Sequence, residues 1–477
     1  MRPRSSRRWI VILGLLTVTP GGWAQHAESD SAAVDSGVET SRQAGAVIKS
    51  LVLPGAVEAW TPLVQRTREP TLVVASRMGA QESAALKLHL WTLEGAPGWR
   101  PLEVGMPSTL DSLGSYQRDD DPGDPVILVF GEAKLRILST AGRIEAEIDM
   151  PNGFFPVATS NSLPRGDMDA IYRRLGALES LRFGGDWNEL ESVWKIDLPI
   201  LVDRSSRDLR LRTPSVMALD RRDGSGMLYA VGPQAVGPDR LRTVLIDAGS
   251  AAIPETTELW SRFGGPETVE ESWYVEFDGG PALIVTTVLT DRHGVFEKKK
   301  LRLFRLERDR SRFGSSPLLE VITRSRNWYP TCAGVGDIND DDKDDILSVQ
   351  PAGLGGGKLW VAAYRSLPGG TVDSKPIGTM LQVELGEGCS LEHDFDGDGQ
   401  PDLLVSRGGE VLIYSLSRRE AREKGGWMAT LPTWRVELGD IGAMPEVTSL
   451  YPEATPQILS SGKTEAGRGR LSVIRLQ

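Results

Sequence analysis

Residues 394–402 read Asp394-Phe-Asp-Gly-Asp-Gly-Gln-Pro-Asp402, and the apolar run Leu403-Leu-Val405 follows them directly. This loop carries carboxylates at its first, third, fifth and ninth positions. Like charges crowded into one small volume repel each other unless a cation lies among them, and hard oxygen ligands in this number suit calcium. An EF-hand loop opens in the same way, but its closing acid is the twelfth residue and its flanks are helices. The apolar run after Asp402 instead predicts a strand.

The same arrangement occurs 57 residues earlier, where residues 337–345 read Asp337-Ile-Asn-Asp-Asp-Asp-Lys-Asp-Asp345. The similarity extends beyond the loop, because Cys332 and Cys389 each lie five residues before the first acid. Downstream, Gly357-Lys-Leu-Trp-Val361 corresponds to Gly409-Glu-Val-Leu-Ile413. The chain therefore contains a repeated unit that is longer than its acidic loop.

With these two loops the chain resembles the FG-GAP/VCBS repeat, the blade unit of integrin alpha-subunit propellers and of many bacterial secreted proteins. The literal Phe-Gly and Gly-Ala-Pro letters of that repeat are missing from these two units. The resemblance implies two calcium sites. In the second loop it implies side-chain ligands at Asp394, Asp396, Asp398 and Asp402 and the main-chain carbonyl of Gln400. In the first loop it implies Asp337, Asn339, Asp341 and Asp345 and the main-chain carbonyl of Lys343. Asp342 stands where the repeat normally has glycine, which puts the tight turn of the first loop in question.

A strongly apolar strand after a turn recurs eight times along the chain, and each copy precedes an alternating partner strand. The copies begin at residues 70, 125, 169, 226, 281, 345, 401 and 456. Period-two alternation within a repeat of this size predicts an all-β chain folded as a β-propeller. Four strands of ordinary length fill such a repeat, so we expect eight four-stranded blades, or seven if the short third unit merges with a neighbour.

A further strand is expected before each turn, as the outer strand of the preceding blade. The last repeat ends at Gln477 without such a strand, while the first predicted strand, Val47–Leu53, has no blade before it. We therefore predict that the N-terminal strand completes the last blade and closes the ring, which removes two exposed sheet edges.

The N-terminal residues have the composition of a targeting segment. Arginines precede the short apolar run Trp9–Val18, and Gly22-Trp-Ala24 offers small residues for cleavage, so residues 1–24 are predicted to be a Sec signal peptide. Residues 25–45 are poor in large apolar side chains and are predicted to be a disordered linker, with the propeller over 46–477. No cysteine follows the cleavage site as in a lipoprotein. The mature protein is expected to be secreted, periplasmic or extracellular, without membrane insertion.

Charge and cysteine content narrow the partners and the chemistry. The net charge of −11 at pH 7 disfavours nucleic acid and anionic membranes as partners. The only two cysteines are Cys332 and Cys389, and export permits a disulfide between them. Two buried, unreactive thiols remain the alternative, because the sequence does not give their separation in space.

The resemblance implies a binding, adhesion or scaffold module for an extracellular protein or glycan. The alternative is a calcium-dependent polysaccharide lyase or another propeller enzyme. Lyase chemistry needs a base beside a group that neutralises the substrate carboxylate, and the sequence has no His, Lys and Arg cluster of that kind. We therefore assign no catalytic residues and favour a non-enzymatic role. If the ligand is a glycan, the tryptophans expected in loops are candidates for stacking on sugar rings: Trp187, Trp328 and Trp427.

Overall fold

The chain was analysed as a computed structural model. It describes residues 37–43, 45–63, 70–77, 85–94, 98–116, 125–150, 155–160, 168–174, 177–183, 190–197, 216–220, 227–235, 240–247, 255–262, 267–278, 280–290, 297–307, 312–313, 317–323, 332–352, 357–368, 370–384, 386, 388–416, 427–441, 445–448, 450, 455–464 and 468–476. The predicted signal peptide lies outside these ranges.

The described residues form strands joined by turns. In chain order the first strands are β1 Gly37–Gln43, β2 Ala46–Leu53, β3 Ala56–Leu63, β4 Thr71–Arg77, β5 Leu86–Thr92, β6 Gly98–Leu102, β7 Ser112–Tyr116, β8 Val126–Gly131, β9 Lys134–Ser139, β10 Ile144–Asp149, β11 Phe155–Ser160, β12 Met168–Arg174, β13 Ala177–Phe183 and β14 Leu190–Asp197. The middle strands are β15 Val216–Asp220, β16 Met227–Ala235, β17 Arg240–Asp247, β18 Glu255–Arg262, β19 Glu267–Phe277, β20 Gly280–Thr290, β21 Glu297–Glu307, β22 Arg312–Phe313 and β23 Leu319–Thr323. The last are β24 Cys332–Gly336, β25 Asp345–Ala352, β26 Lys358–Tyr364, β27 Ser366–Leu367, β28 Thr371–Val372, β29 Ile377–Leu381, β30 Gly388–His393, β31 Asp402–Arg407, β32 Glu410–Tyr414, β33 Trp434–Glu437, β34 Asp440–Ile441, β35 Glu446–Thr448, β36 Gln457–Lys463 and β37 Gly469–Leu476.

These strands form successive antiparallel sheets in which neighbours in sequence are neighbours in space. Within the described ranges, eight sheets have four or more strands, and β27 and β28 form a separate two-stranded pair. The eight predicted apolar strands are the second strands of these sheets: β4, β8, β12, β16, β20, β25, β31 and β36. The prediction of an all-β chain is therefore confirmed. Within the same ranges the chain has no apolar helix of membrane-crossing length.

The chain divides into two compact units. The first comprises Met1–Gln43, Val47–Pro199 and Asp440–Arg475, and the second comprises Ala44–Ala46, Ile200–Gly439 and Leu476–Gln477. Both units follow the same packing rule, because their hydrophobic cores lie between the faces of consecutive sheets. The second strand of a sheet is covered on both faces, which explains its unbroken apolar sequence; Leu403, Leu404 and Val405 of β31 are fully buried.

In the first unit, the two ends of the described chain share one sheet. Its order is β1-β2-β37-β36-β34, and β35 also pairs with β36. The Oγ atoms of Ser50 on β2 and Ser472 on β37 lie 2.8 Å apart in a buried hydrogen bond. The sheet also contains β1, which lies in the segment predicted to be disordered. β1 comprises Gly37–Gln43 and pairs with β2 within this sheet.

The start of β37 gives a stability prediction. A Cβ atom on Gly469 would lie 2.1 Å from the carbonyl oxygen of Gly55 and 3.0 Å from the amide nitrogen of Val57. We expect Gly469→Ala to lower the free energy of unfolding by about 1–3 kcal/mol, as overpacking does elsewhere. Urea unfolding measures this, with Gly105→Ala as the matched control because no atom lies within 4 Å of that added Cβ. Equal midpoints for the two variants would contradict the close contact.

Candidate metal centre

The two acidic loops occupy equivalent places in consecutive sheets of the second unit. Loop one, residues 337–345, connects β24 to β25, and loop two, residues 394–402, connects β30 to β31. Each therefore joins the first and second strands of its sheet. The residue at position two of each loop is a buried apolar anchor, Ile338 in loop one and Phe395 in loop two. These anchors hold the loops on the ends of the sheets.

In loop two the first aspartate organises the turn. The Asp394 carboxylate accepts hydrogen bonds from the main-chain nitrogens of Gly397 and Gly399, both at 2.7 Å. Burial raises the pKa of Asp394, and the charge of Asp396 raises it further, while these hydrogen bonds oppose the shift. A carboxylate fixed in this way is held ready to face the loop interior.

The third and fifth positions of loop two complete the acidic group. Asp396 accepts a hydrogen bond from the Asp398 nitrogen at 3.1 Å, and Asp398 accepts one from the Gln400 nitrogen at 2.8 Å. One ligand atom from each of Asp394, Asp396 and Asp398 lies within 4.8 Å of the others. Asp396 and Asp398 are exposed, so an ion can reach the group from solvent.

Loop one shares with loop two the hydrogen bonds from position six to position one and from position seven to position five. The Asp337 carboxylate accepts from the nitrogens of Asp341 and Asp342, at 3.1 and 2.9 Å, and Asp341 accepts from Lys343 at 3.1 Å. At the third position, the Asn339 side-chain amide donates to Asp341 at 3.3 Å. The amide replaces one carboxylate, so positions one, three, five and nine carry three acids in loop one and four in loop two.

The ninth-position aspartates bind main chain in both loops. Asp402 accepts from the nitrogens of Phe395 and Leu416, at 2.7 and 3.2 Å, and it is 1% exposed. Asp345 accepts from Ile338 at 3.2 Å and from Ser366 at 2.7 Å. Each carboxylate thereby closes its loop and ties it to a residue further along the chain. A carboxylate oxygen has two lone pairs, so these bonds leave capacity for a metal ion.

Burial also shifts the acidity of these two carboxyl groups. It raises the pKa of Asp402 to about 8, and the charges of Asp396 and Asp394 add to the shift. Burial likewise raises the pKa of Asp345 to about 6, with smaller contributions from Asp341 and Asp337. The neighbouring acids in each loop thus repel one another, and a divalent cation would relieve this repulsion.

The backbone of loop one makes the turn that its sequence put in question. Asp342 has φ of 62°, and its counterpart Gly399 has φ of 87°. At position four, Asp340 and Gly397 also have positive φ, of 61° and 79°. Aspartate is among the few residues with a side chain that adopt this conformation at low cost. Asp342 therefore replaces glycine without changing the path of the loop.

The donor set of each loop fits calcium. Hard oxygen atoms come from side chains at positions one, three, five and nine, and the main-chain carbonyl at position seven adds one more. The residues that would hold an ion are thus Asp337, Asn339, Asp341, Lys343 and Asp345 in loop one, and Asp394, Asp396, Asp398, Gln400 and Asp402 in loop two. When bound, calcium would supply positive charge to the acidic groups and fix the loop backbone.

Two further connections hold the loops in the second unit. A disulfide joins Cys332 on β24 to Cys389 on β30, with their Cα atoms 5.9 Å apart. On the other side of loop one, Asp344 and Asp278 each donate a main-chain N–H to the carboxylate of the other. Loop one is therefore attached both to β30 and to the turn between β19 and β20.

Of the three tryptophans proposed for sugar stacking, the structure describes one. Trp427 is 8% exposed and packs in the apolar core between the sheets of β24–β29 and β30–β33, so it offers no platform for a glycan. Trp427 lies outside the strands, as expected, but its side chain is covered by this core. Trp187 and Trp328 lie outside the described residues.

A buried serine–histidine pair in the first unit was not expected from the sequence. The Ser76 hydroxyl lies 2.9 Å from Nε2 of His89, across β4 and β5. The two residues are 0% and 3% exposed, and in the described part of the chain Nδ1 of His89 has no hydrogen-bond partner. Both side chains are buried, and we assign the pair no catalytic role.

The same pair predicts a pH dependence of stability. Burial lowers the pKa of His89 to about 4, helped by the charge of Lys87, whereas an exposed histidine titrates near 6.5. Between these values the unfolded chain binds the proton and the folded chain does not. Stability is therefore lost as the pH falls from about 6.5 to about 4, by up to about 3 kcal/mol.

The check is denaturant unfolding at pH 7.5 and pH 4.5 for the wild type and His89→Gln, which keeps a neutral polar group beside Ser76. We expect the loss of stability at low pH to be smaller in the variant by about 2–3 kcal/mol. Identical losses would show that His89 does not control this dependence.

Comparison with known proteins gives structural likeness only. No protein-family model matches the chain, and no curated protein matches its sequence. Among solved structures, the chain is similar to the WD40 domain of SCAP from fission yeast, with 10% identity, 89% of this chain and 96% of that chain covered, and a TM-score of 0.48. It is also similar to the Dos1 propeller, with 9% identity, 89% and 93% coverage and a TM-score of 0.44. For the C-terminal WD40 domain of Sif2 the identity is 12%, the coverage 90% and 98%, and the TM-score 0.41.

Proposed function

We propose that this chain is an exported, calcium-binding β-propeller that acts as a binding, adhesion or scaffold module for extracellular protein or glycan ligands. The observation that carries the calcium assignment is the equivalence of the two loops. Loops one and two share the hydrogen bonds of positions one, five and nine and the positive φ at positions four and six. A solvated acidic turn has no reason to preserve this arrangement twice, whereas a calcium ion requires it.

The ring is part of the same proposal. We assign each of the eight sheets with four or more strands in the described ranges to one blade of the ring. In this arrangement the sheet that contains β2 and β37 closes the ring. Pairing of β2 with β37 covers an edge of each of these two strands, which would otherwise be open to another chain. Class averages from electron microscopy of the secreted protein test this, because eight blades are expected around one axis and seven would overturn the blade count.

The role as a binding module rests on the FG-GAP/VCBS resemblance and on the structural use of the acidic loops. Calcium in loops one and two stiffens the ends of two sheets, and rigid sheet ends hold their connecting loops in place for a ligand. The net charge of −11 favours a neutral or basic partner over nucleic acid or an anionic membrane.

Calorimetric titration of the secreted, chelator-stripped protein with calcium tests the metal assignment. We expect two ions per chain, one of which is lost in Asp341→Ala and the other in Asp398→Ala. Asp149→Ala is the control, because its side chain is 88% exposed and lies outside both loops. Absence of calcium binding in the wild type would overturn the proposal.

A glycan array and a panel of extracellular matrix proteins, probed with and without calcium, test the binding role. The same preparation is incubated with acidic polysaccharides, since release of unsaturated products would identify a lyase. Retention of a defined ligand without any product supports a binding module, and product formation overturns it.

A further inference from the structure

We propose that the two loops bind calcium cooperatively, because the exit of loop two packs directly on the base of loop one. This inference rests on the calcium-binding function proposed above. The coupling is transmitted by the contact between β24 and β30, which are the first strands of two consecutive sheets, and by residues 400–401. We refer to β24, β30 and residues 400–401 as the seam.

Small residues bring the backbones together along the seam. The disulfide joins Cys332 to Cys389 at its far end. Two residues further along β24, a Cβ atom on Gly334 would lie 2.5 Å from the carbonyl oxygen of Leu391. At the near end, a Cβ on Gly336 would lie 2.7 Å from Cδ of Pro401. The backbone of β24 is therefore in close contact with the backbone of β30 and with the Pro401 ring. No flexible side chain lies at these contacts to absorb a displacement.

Gly336 is next to both ends of loop one. It directly precedes Asp337, the first ligand position, and it pairs with Asp345, the ninth, in the β24–β25 register. A movement of Gly336 therefore shifts the first and last ligands of loop one together. No other residue of β24 has this position.

Gln400 and Pro401 hold the corresponding place in loop two, immediately before Asp402. The main-chain carbonyl of Gln400 is the expected seventh-position ligand, and its nitrogen donates to Asp398. Its side chain is 2% exposed, and Oε1 would lie 3.0 Å from a Cβ on Gly336. Within the described residues this buried oxygen has no hydrogen-bond partner. Gln400 thus belongs to one site through its backbone and touches the base of the other through its side chain.

Coupling follows from this geometry. When calcium binds loop two, the Gln400 carbonyl turns to the ion and the Gln400–Pro401 peptide loses its freedom to move. Since close-packed interiors do not compress, Gly336 is confined with it, and loop one is ordered before its own ion arrives. The second ion then loses less conformational entropy on binding, which raises its affinity without any new contact. Linkage requires the same factor in the reverse direction.

The experiment compares sites by calorimetry. Loop one is disabled by Asn339→Ala with Asp341→Ala, and loop two by Asp396→Ala with Asp398→Ala; all four side chains are exposed. We expect the Kd of calcium for the remaining loop to be about ten times the calcium concentration that half-saturates the wild type. This factor lies within the usual range for coupled sites. The weakening should be similar for the two loops. Pro401→Ala should reduce this factor to less than about threefold while both loops still bind.

A local measurement is independent of affinity. Hydrogen exchange of the protein with loop one disabled should still slow at residues 333–338 when calcium is added, and Pro401→Ala should abolish this slowing. If Pro401→Ala does not fold, the Cys332–Cys389 disulfide of the wild type is reduced instead, which loosens the other end of the seam. We expect this reduction to lower the tenfold effect of one loop on the calcium affinity of the other.

The outcomes separate the two proposals. If each loop binds calcium but its affinity changes less than twofold when the other loop is disabled, the cooperative inference is overturned and the calcium function stands. If neither loop of the wild type binds calcium, both fail. If disabling one loop still weakens calcium binding to the other tenfold after Pro401→Ala and after disulfide reduction, the seam does not transmit the coupling.

Discussion

Removing calcium with EGTA is expected to lower the midpoint temperature of thermal unfolding by on the order of 10 °C. An ion that binds only the folded chain stabilises it by about 2.7 kcal/mol when its free concentration is a hundred times its Kd. Two such sites give about 5 kcal/mol, and each kcal/mol corresponds to about 2–4 °C for a unit of this size. The effect arises in loops one and two, where buried carboxylates such as Asp402 face neighbouring acids.

Scanning calorimetry in EGTA, followed by calcium or magnesium, measures this shift. Calcium should restore the midpoint, and magnesium should not, because it demands octahedral geometry and keeps its waters. The variant Asp396→Ala with Asp398→Ala retains one loop and should show less than half of the shift, because calcium is expected to bind the remaining loop more weakly. Equal midpoints with EGTA and with calcium would rule out a structural role for the ions.

Removing the disulfide is expected to have the second large effect. Cys332 and Cys389 close a covalent loop with a sequence separation of 57 residues. Restricting the unfolded chain over a loop of this length stabilises the folded state by about 4 kcal/mol in the chain-entropy account. The variant Cys332→Ser with Cys389→Ser should therefore unfold at clearly lower urea concentration than the wild type.

The matched control is reduction of the wild type. Dithiothreitol should lower the unfolding midpoint of the wild type towards that of the double variant and leave the double variant unchanged. A wild type whose midpoint does not respond to complete reduction would show that the bond contributes nothing to stability.

Much of the local structure could be read from the sequence. The apolar runs such as Leu403-Leu-Val405 were identified as strands because a strand covered on both faces must be apolar throughout. The ligand positions proposed for both loops rest on a similarly local pattern. Asp394 and Asp402 are eight residues apart, and the loop that brings them together is contained between them.

Contacts between distant residues could not be read in the same way. The sequence left open whether Cys332 and Cys389 pair, because only the packing of β24 beside β30 brings their Cα atoms to 5.9 Å. Likewise, the sequence does not signal that Ser76 meets His89, or that Trp427 is covered.

The sequence by itself determined the all-β class, the positions of the strands and the chemistry of the two acidic loops, since alternation and ligand spacing act over a few neighbouring residues. Only the tertiary structure decided which surfaces meet. It placed Pro401 against Gly336, because the approach of two backbones depends on how whole sheets pack, and that information is spread over residues far apart in the chain.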